Sequence, residues 1–452
     1  MNKVEATTEP GLFAAKPEED RRDVLEATRA FYRARAQIPF VPGETYIPPS
    51  GKVIDEEDLA SLVNASLDMW LTAGRFSAAF EEQLAKKFGT RYARMTTSGS
   101  AANLLAFTCL TSGRQRNRIE SNSEVLTVAA GFPTTVTPIV QNGCMPVFVD
   151  IDIATHNVDV ERLADAVTPN TRAIMLAHTL GNPFDVATVK KIADDHGLFL
   201  IEDCCDAFGA TYAGKNVGSF GSTATLSFYP AHHITTGEGG AVMTNNTSIL
   251  RNIESLRDWG RDCWCPPGEE NTCGQRFDWK IGGLPEGYDH KYIYTHLGYN
   301  LKATDMQAAV GLTQLEKLDC FVESRRANFK FFYETFKTEG LDEHFILPEP
   351  TKNSQPSWFG FLLTIRDDSP LKRVDVIRHL TERQIGTRLL FAGNLTRQPA
   401  FKQVKYRIVG ELTNTDKVMS DSFWIGVWPG IDEQRRNYMV EVFTSMVGEL
   451  TR

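Results

Sequence analysis

Short apolar segments alternate with helical stretches over the first half of the chain, and this alternation is the strongest constraint on its fold. The predicted strands span 124–128, 145–150, 173–177, 198–203, 223–228 and 240–244. Helical stretches such as 186–197 lie between them. Strands that alternate with helices form βαβ units and a mostly parallel sheet. Ligands of such sheets bind at the carboxyl ends of the strands, where several motifs of this chain fall.

The remaining segments predict three parts. Residues 1–46 are charged, with one helical stretch at 21–36, and are predicted to form an N-terminal arm. Residues 47–315 are predicted to form a large α/β domain, interrupted by a Pro- and Gly-rich loop at 263–298, and residues 316–452 a smaller α+β domain. The elements predicted in the C-terminal part are helices over 304–335, 372–383 and 433–449 and a strand over 359–364. Long ordered loops are often functional.

Composition excludes some classes of protein. The 452 residues carry a formal net charge of -9, which argues against sequence-independent binding of nucleic acid, because Lys and Arg are needed to neutralise phosphates. No run of 18 apolar residues is present, and the first 20 residues lack the apolar core of a secretory signal. We therefore expect a cytoplasmic protein that neither binds nucleic acid nor enters a membrane. In that compartment the eight cysteines are free thiols or ligands and do not form disulfides.

Two polar motifs indicate a phosphate-bearing ligand. The sequence 96–103, TTSGSAAN, opens a predicted helix, and its small residues let backbone N–H groups approach a phosphate. A Ser/Gly helix cap without any ligand fits the same residues. Asp203 ends an apolar strand, where its carboxylate could pair with a protonated ring nitrogen or cap the next helix.

Taken together, these motifs and their order resemble the DegT/DnrJ-type nucleotide-sugar aminotransferases from about residue 48 to the C-terminus. The resemblance implies a fold type I aminotransferase-like protein with a mostly parallel seven-stranded sheet, a pyridoxal- or pyridoxamine-phosphate (PMP) cofactor and a homodimer. The contacts that it implies are Gly99, Ser100 and Ser227 with the cofactor phosphate, Phe132 with the ring face, Asp203 with the ring nitrogen, and Asn300 with the phosphate in the other subunit.

One residue departs from the aminotransferase pattern. The sequence 227–240 reads SFYPAHHITTGEGG, and His232 stands where the family has its cofactor-binding lysine. Imidazole moves protons near neutral pH but cannot form the covalent link that a lysine amine forms with the cofactor. No lysine lies between Lys215 and Lys280. The histidine resembles that of the PMP-dependent sugar 3-dehydratases and implies a catalytic acid/base; a family member that has lost activity is the alternative. The neighbouring His233 is predicted to be structural.

The cysteines form a second pattern. Cys205 is followed by Cys263, Cys265 and Cys273 at intervals of 58, 2 and 8 positions. Spacing alone is compatible with zinc, with an iron-sulfur cluster or with buried thiols. Cysteine for cysteine, the pattern resembles the 2Fe-2S motif of the iron-sulfur sugar 3-dehydratases, whereas a related branch that uses GDP-sugars and glutamate lacks it. Cys204 is the only plausible rival to Cys205 as a ligand.

This resemblance implies loss of the C3 hydroxyl from a nucleotide-linked 4-keto-6-deoxyhexose, with His232 moving protons and a separate NAD(P)H-dependent flavin/iron-sulfur reductase supplying electrons through the cluster. The whole chain favours a CDP-sugar, and a dTDP-sugar remains the alternative. Lys291 and Arg388 are candidate substrate contacts, although both also fit as solvated surface charges. A redox-sensing regulator is the alternative of another class.

Overall fold

The computed structural model of the protein describes residues 18–35, 38–265 and 268–450. The helices in these ranges are α1 Glu18–Arg33, α2 Glu56–Ser66, α3 Arg75–Phe88, α4 Gly99–Thr108, α5 Pro133–Gln141, α6 Val160–Asp165, α7 Val186–Asp195, α8 Thr247–Arg257, α9 Asp305–Thr338, α10 Arg373–Glu382, α11 Thr413–Asp421 and α12 Glu433–Leu450. The strands are β1 Tyr92–Thr96, β2 Glu124–Val128, β3 Met145–Val149, β4 Thr171–Ala177, β5 Phe199–Asp203, β6 Thr211–Tyr212, β7 Lys215–Asn216, β8 Thr223–Ser227, β9 Gly240–Thr244, β10 Phe345–Ile346, β11 Ser354–Gln355, β12 Gly360–Ile365, β13 Arg407–Ile408 and β14 Ser422–Gly426.

The main sheet has the strand order β1-β9-β8-β5-β4-β2-β3-β13 in the described part of the chain. Only β9 runs antiparallel to its two neighbours, so the prediction of a mostly parallel sheet is confirmed. All residues of β2, β8 and β9 are buried, as expected when helices cover both faces of a sheet. The six strands predicted from apolar runs agree with β2, β3, β4, β5, β8 and β9 within two residues at each end.

An eighth strand, β13, extends the predicted sheet of seven. It comes from the C-terminal part of the chain and pairs parallel to β3. The Arg407 guanidinium contacts both carboxylate oxygens of Glu124 on β2 at 3.0 Å and 2.7 Å, and Tyr406 packs against Phe148. A two-residue strand has no periodic signal of its own, and these long-range contacts fix its position.

The C-terminal part is an α+β unit, as predicted. Strands β10, β12 and β14 form an antiparallel sheet, and α10, α12 and the second half of α9 contribute to its apolar core. Helix α9 belongs to both halves of the molecule, because Ala308 and Leu315 lie in the core of the main sheet whereas Phe332 and Phe336 lie in the second core. The predicted domain boundary at 315/316 falls inside this continuous helix.

In the described residues, the predicted N-terminal arm and the predicted Pro- and Gly-rich loop supply none of the buried residues of the apolar cores. In the predicted arm, α1 ends at Arg33, and position 36, the last of the predicted helix, lies outside the described residues. The segment 263–298, called the cysteine loop below, has one short 3-10 helix at His290–Tyr292 and otherwise irregular structure among its described residues. In the described ranges, no helix is long and apolar enough to cross a membrane.

A buried carboxylate on β5 fixes the loop that follows this strand. Glu202 is fully buried and accepts hydrogen bonds from the backbone N–H groups of Gly218, Phe220 and Gly221 at 2.7 Å, 3.0 Å and 2.6 Å. Its Oε2 also lies 3.3 Å from Nε2 of His178. A buried charge is tolerated when its hydrogen-bonding capacity is satisfied in this way.

We expect Glu202→Ala to destabilise the protein by about 3 kcal/mol, because it leaves one buried and two partly buried N–H groups and the buried His178 without their acceptor. Thermal unfolding should show a midpoint several degrees lower. The control is Glu120→Ala, which removes an exposed ion pair with Arg118 and should change the midpoint little. Equal midpoints for the two variants would contradict the role given to Glu202.

Candidate active site

One cavity of about 810 Å³ opens at the carboxyl ends of β5 and β8 and at the start of α4. Most of the residues that the sequence assigns to cofactor and catalysis line it. The predicted residues in its lining are Gly99, Ser100, Phe132, Asp203, Cys205, Ser227, His232 and Arg388. Gly99 and Ser227, 128 positions apart in sequence, therefore share one site, as expected for the strand ends of a parallel sheet.

Close backbone packing forms a cradle at the start of α4. Ser98 caps the helix, since its Oγ accepts the N–H of Ala101 at 3.1 Å. A Cβ added at Gly99 would lie 2.4 Å from Cβ of Ser227, and one added at Gly240 would lie 2.4 Å from the carbonyl oxygen of Ser98. Glycine is thus required at both positions. The N–H groups of a first helical turn, joined by the Ser100 and Ser227 hydroxyls, suit a phosphate.

The Asp203 carboxylate is buried and held from both sides. Its Oδ2 accepts hydrogen bonds from Asn103 Nδ2 and Thr135 Oγ1, both at 2.7 Å. Its Oδ1 accepts the backbone N–H of Cys205 at 3.1 Å and the Thr225 hydroxyl at 3.3 Å. These bonds fix the direction of the carboxylate beside the cavity. A protonated ring nitrogen is the partner that such an acceptor-rich group favours.

Aromatic side chains form one wall of the cavity. Phe132 precedes α5 and is 48% exposed, with its ring edge-on to Phe391 at a centroid distance of 5.9 Å. Trp424 lies on the lining as well and contacts Phe359. A planar ring can stack on the free face of Phe132. The cradle, the oriented carboxylate and this wall together fit a pyridoxal-type cofactor.

His232 lies on the segment after β8, with its side chain 15% exposed. Its Nδ1 is 3.3 Å from Oδ1 of Asp206, and its ring packs against Phe359. With the Asp206 carboxylate beside Nδ1, the other ring nitrogen of His232 is left for proton transfer. No lysine is found among the described residues that line the cavity.

Two buried groups support the His232 segment from behind. Arg325 is 1% exposed, donates to the carbonyl oxygen of His232 at 3.3 Å, and has its pKa lowered to about 10 by burial. His233 Nε2 lies 2.9 Å from the carbonyl oxygen of Ser357, and burial, together with the charge of Arg325, holds its pKa well below the usual range. His233 is therefore neutral and structural in this fold.

Three of the four predicted cluster cysteines come together in the cysteine loop. Cys263, Cys265 and Cys273 surround buried His290, with Sγ-to-ring-nitrogen distances of 3.2 Å, 3.9 Å and 3.6 Å. Burial raises the pKa of Cys263 to about 11. Burial also raises the pKa of Cys265, but hydrogen bonds outweigh this effect and lower the pKa to about 6, and the Thr272 side chain makes the largest of these contributions. Soft sulfur and imidazole ligands suit zinc or an iron-sulfur centre.

The fourth cysteine lies elsewhere in the chain. Cys205 lines the cofactor cavity, and its Sγ is 4.0 Å from Thr225 Oγ1. Burial and the charge of Asp203 raise the pKa of its thiol well above the usual value. Its rival Cys204 is fully buried behind the strand, near His178 and Glu202. A single chain thus fits a four-cysteine cluster only in part.

The remaining predicted residues occupy different positions. Arg388 is exposed at the cavity, with Nη1 donating to the carbonyl oxygen of Thr387 at 2.9 Å. Lys291 lies in the cysteine loop, where Nζ donates to the Glu269 carbonyl oxygen at 2.9 Å, and it is absent from the described lining of the cavity. Asn300 is exposed, and its backbone forms an isolated antiparallel β-bridge with Asp258. It is not among the described residues that line the cavity of its own chain.

Sequence reasoning missed the residues that position the predicted ones. They are Asn103, Thr135 and Thr225 around Asp203, Asp206 beside His232, Arg325 behind it, and His290 among the cysteines. Asn103 is the last residue of the phosphate motif 96–103, one helical turn after Gly99, and Asp206 follows Asp203 by three residues, so proximity in sequence was a usable signal for these two. Arg325 lies on α9, far along the chain, and no local pattern indicates its contact.

The chain is similar in sequence to a known protein family and to individual proteins. The sequence profile of the DegT/DnrJ/EryC1/StrS aminotransferase family matches residues 52–444. The lipopolysaccharide biosynthesis protein RfbH of Salmonella typhimurium is 56% identical over 411 residues, which cover 91% of this chain and 94% of that protein. The dTDP-4-dehydro-2,6-dideoxy-D-glucose 3-dehydratase of Saccharopolyspora spinosa is 51% identical over 433 residues, 95% of this chain and 93% of that enzyme.

The fold has solved counterparts too. The structure of E. coli GDP-4-keto-6-deoxy-D-mannose-3-dehydratase with bound hydrated PLP superposes with a TM-score of 0.80 at 30% identity, and the match covers 88% of this chain and 99% of that one. The sheet, cradle and oriented carboxylate define the fold type I class of pyridoxal-phosphate proteins. Within that class, the chain belongs to the DegT/DnrJ/EryC1/StrS aminotransferase family, which confirms the predicted resemblance and fold.

The cradle yields a direct prediction. We expect Gly99→Ala to weaken binding of PLP and PMP about 10- to 100-fold, because overpacking of about 1–3 kcal/mol falls on the phosphate site. Absorbance titration of the cofactor-free protein measures this change. Gly448→Ala is the matched control, since nothing lies within 4 Å of the added Cβ. An unchanged dissociation constant for Gly99→Ala would show that the phosphate binds elsewhere.

Proposed function

We propose that the protein is a PMP-dependent nucleotide-sugar 3-dehydratase that reductively removes the C3 hydroxyl of a nucleotide-linked 4-keto-6-deoxyhexose. The observation that carries the proposal is His232, paired with Asp206, in a cofactor cavity whose described lining has no lysine. Two relatives support it, since the enzymes from Saccharopolyspora spinosa and E. coli are both named sugar 3-dehydratases. An ordinary aminotransferase needs an amine at this position to hold its cofactor between turnovers.

Each group of the cavity has a separate task in this reaction. When bound, the cofactor supplies an amine and a ring that accepts electron density. The start of α4 and Ser227 bind its phosphate, Asp203 keeps its ring nitrogen protonated, and Phe132 covers the ring. His232 takes a proton from the cofactor carbon attached to the pyridine ring. It then delivers a proton to the C3 hydroxyl of the sugar, which leaves as water. Asp206 stabilises the imidazolium between these two transfers.

Reduction requires two electrons, and we propose that they come one at a time from a separate NAD(P)H-dependent flavin/iron-sulfur reductase through a 2Fe-2S cluster on Cys205, Cys263, Cys265 and Cys273. The gathering of three of these cysteines around His290 supports a metal centre in the cysteine loop. Zinc suits the same ligands but transfers no electrons. A homodimer is part of the proposal, with Asn300 contacting the cofactor phosphate of the partner.

For the substrate we propose CDP-4-keto-6-deoxyglucose, on the route to a 3,6-dideoxyhexose. The relative at 56% identity is named for lipopolysaccharide biosynthesis, which supports a surface-sugar pathway. The relative at 51% identity is named for a dTDP-4-keto-2,6-dideoxy sugar, so the dTDP-linked substrate is the second candidate. Arg388 at the cavity and Lys291 in the cysteine loop are the proposed contacts to the pyrophosphate.

Turnover of each nucleotide sugar tests this proposal. Anaerobic protein, PMP, a flavin/iron-sulfur reductase and NADH are incubated separately with CDP-4-keto-6-deoxyglucose and with dTDP-4-keto-2,6-dideoxyglucose, and the product is identified by mass spectrometry and NMR. We expect a 3-deoxy-4-keto sugar, formed faster from the CDP-sugar. Formation of a 4-amino sugar, or zinc instead of iron and pyridoxamine in the purified protein, would refute the proposal.

His232→Ala tests the assignment of the proton carrier. We expect C3 deoxygenation to fall by about 100- to 10,000-fold, the usual contribution of a general acid/base, while PMP still binds because the cradle is untouched. Turnover and cofactor titration measure the two effects separately. The control is His196→Ala, which removes an exposed histidine after α7. Deoxygenation at the wild-type rate in His232→Ala would show that another group carries the proton.

A further inference from the structure

The four cysteines proposed as cluster ligands lie at two separate places in one chain. Cys263, Cys265 and Cys273 surround His290, whereas Cys205 lines the cofactor cavity. In the described residues, the ligand atoms of Cys263, Cys265 and His290 lie within 4.8 Å of one another, and Cys273 Sγ lies 3.6 Å from Nδ1 of His290. A single chain therefore offers three sulfur ligands at one place and the fourth at another.

Helix α4 separates the two places. A Cβ added at Gly99, the first residue of α4, would lie 3.1 Å from Sγ of Cys205, so this thiol lies at the start of the helix. The cysteine loop is fastened beyond the other end of α4, where Arg114 Nη2 contacts Oδ2 of Asp262 at 2.6 Å. The ten residues of α4 span ~15 Å. No residue of the cysteine loop is among the described residues that line the cavity with Cys205.

Both places expose large apolar side chains. On the cysteine loop Trp264 is 46% exposed, Phe277 54% and Leu297 98%. Beside the cavity, Tyr229 is 53% exposed. Large exposed apolar side chains often mark surfaces that bind another protein. The cysteine loop and the rim of the cavity thus both have the character of interface surfaces.

We propose that the cluster is completed between two copies of the chain, with Cys263, Cys265 and Cys273 from one subunit and the partner's Cys205 as the fourth ligand. This inference rests on the proposed function. In a two-fold symmetric dimer, any contact of the loop of one copy with the cavity of the other occurs twice. A single interface therefore completes two clusters, covers the exposed apolar side chains and places each cluster beside a cofactor site.

Mixed dimers test the proposal. Chains carrying Cys205→Ala and chains carrying Cys263→Ala, each with a different affinity tag, are co-expressed, and the doubly tagged dimer is isolated anaerobically. We expect it to contain half the iron and sulfide of the wild-type dimer, with the absorption and electron paramagnetic resonance spectra of a 2Fe-2S cluster. One of its two sites combines an intact loop with an intact Cys205. Dimers of either variant alone should contain no cluster.

The reciprocal pairing must give the opposite result. A chain with both substitutions, paired with a wild-type chain, leaves each shared site without one ligand, so we expect no cluster. Ligands drawn from one chain would instead give half the wild-type iron in this pairing and none in the first. That reversed pattern, or a cluster-loaded wild-type protein that is monomeric on size exclusion, would overturn the proposal.

Two further measurements keep the outcomes distinct. Cys320→Ala removes an exposed thiol on α9 and should leave both clusters in place, which controls for loss of any cysteine. Circular dichroism and thermal unfolding of each variant show whether the chain has folded. Wild-type protein without iron would refute the proposed function itself, whereas iron-loaded wild type with the reversed pattern in mixed dimers would refute only the shared site.

Discussion

The site depends on the close approach of the first turn of α4 to the ends of β8 and β9. Gly99 and Gly240 allow it, because a side chain at either position would overlap Ser227 or the backbone of Ser98. The approach directs the N–H groups of a helix start to a point beside Ser227, which is where a phosphate can bind. The cofactor contacts and the position of Cys205 all follow from this packing.

Three acidic residues at the end of β5 have different tasks because of where the strand directs them. Neighbouring residues of a strand point to opposite faces. Glu202 therefore points away from the cavity and fixes the 218–221 loop, whereas Asp203 points towards the cavity and is oriented by Asn103 and Thr135. Asp206, just past the strand, lies beside His232. One short segment thus combines a stabilising carboxylate with the proposed cofactor contact and the proposed support for proton transfer.

The fold was largely predictable because its strands are continuous apolar runs, and such runs predict buried parallel strands. The exceptions depend on contacts between distant residues. Strand β13 is held by Arg407 and Glu124, which are 283 positions apart, and α9 continues through the predicted domain boundary because one helix serves both cores. In the site, residue types were predictable, whereas the supporting contact of Arg325 with His232 was not.

The sequence by itself determined the chemistry that this protein can support. The histidine that stands where the resemblance places the cofactor-binding lysine cannot itself form the covalent link, because imidazole lacks the required amine. The sequence also shows that a metal could bind sulfur ligands, which Cys205, Cys263, Cys265 and Cys273 supply. Only the tertiary structure decided which of them meet. Separation along a chain does not fix distance in space, and here α4 lies between Cys205 and the loop that holds the other three.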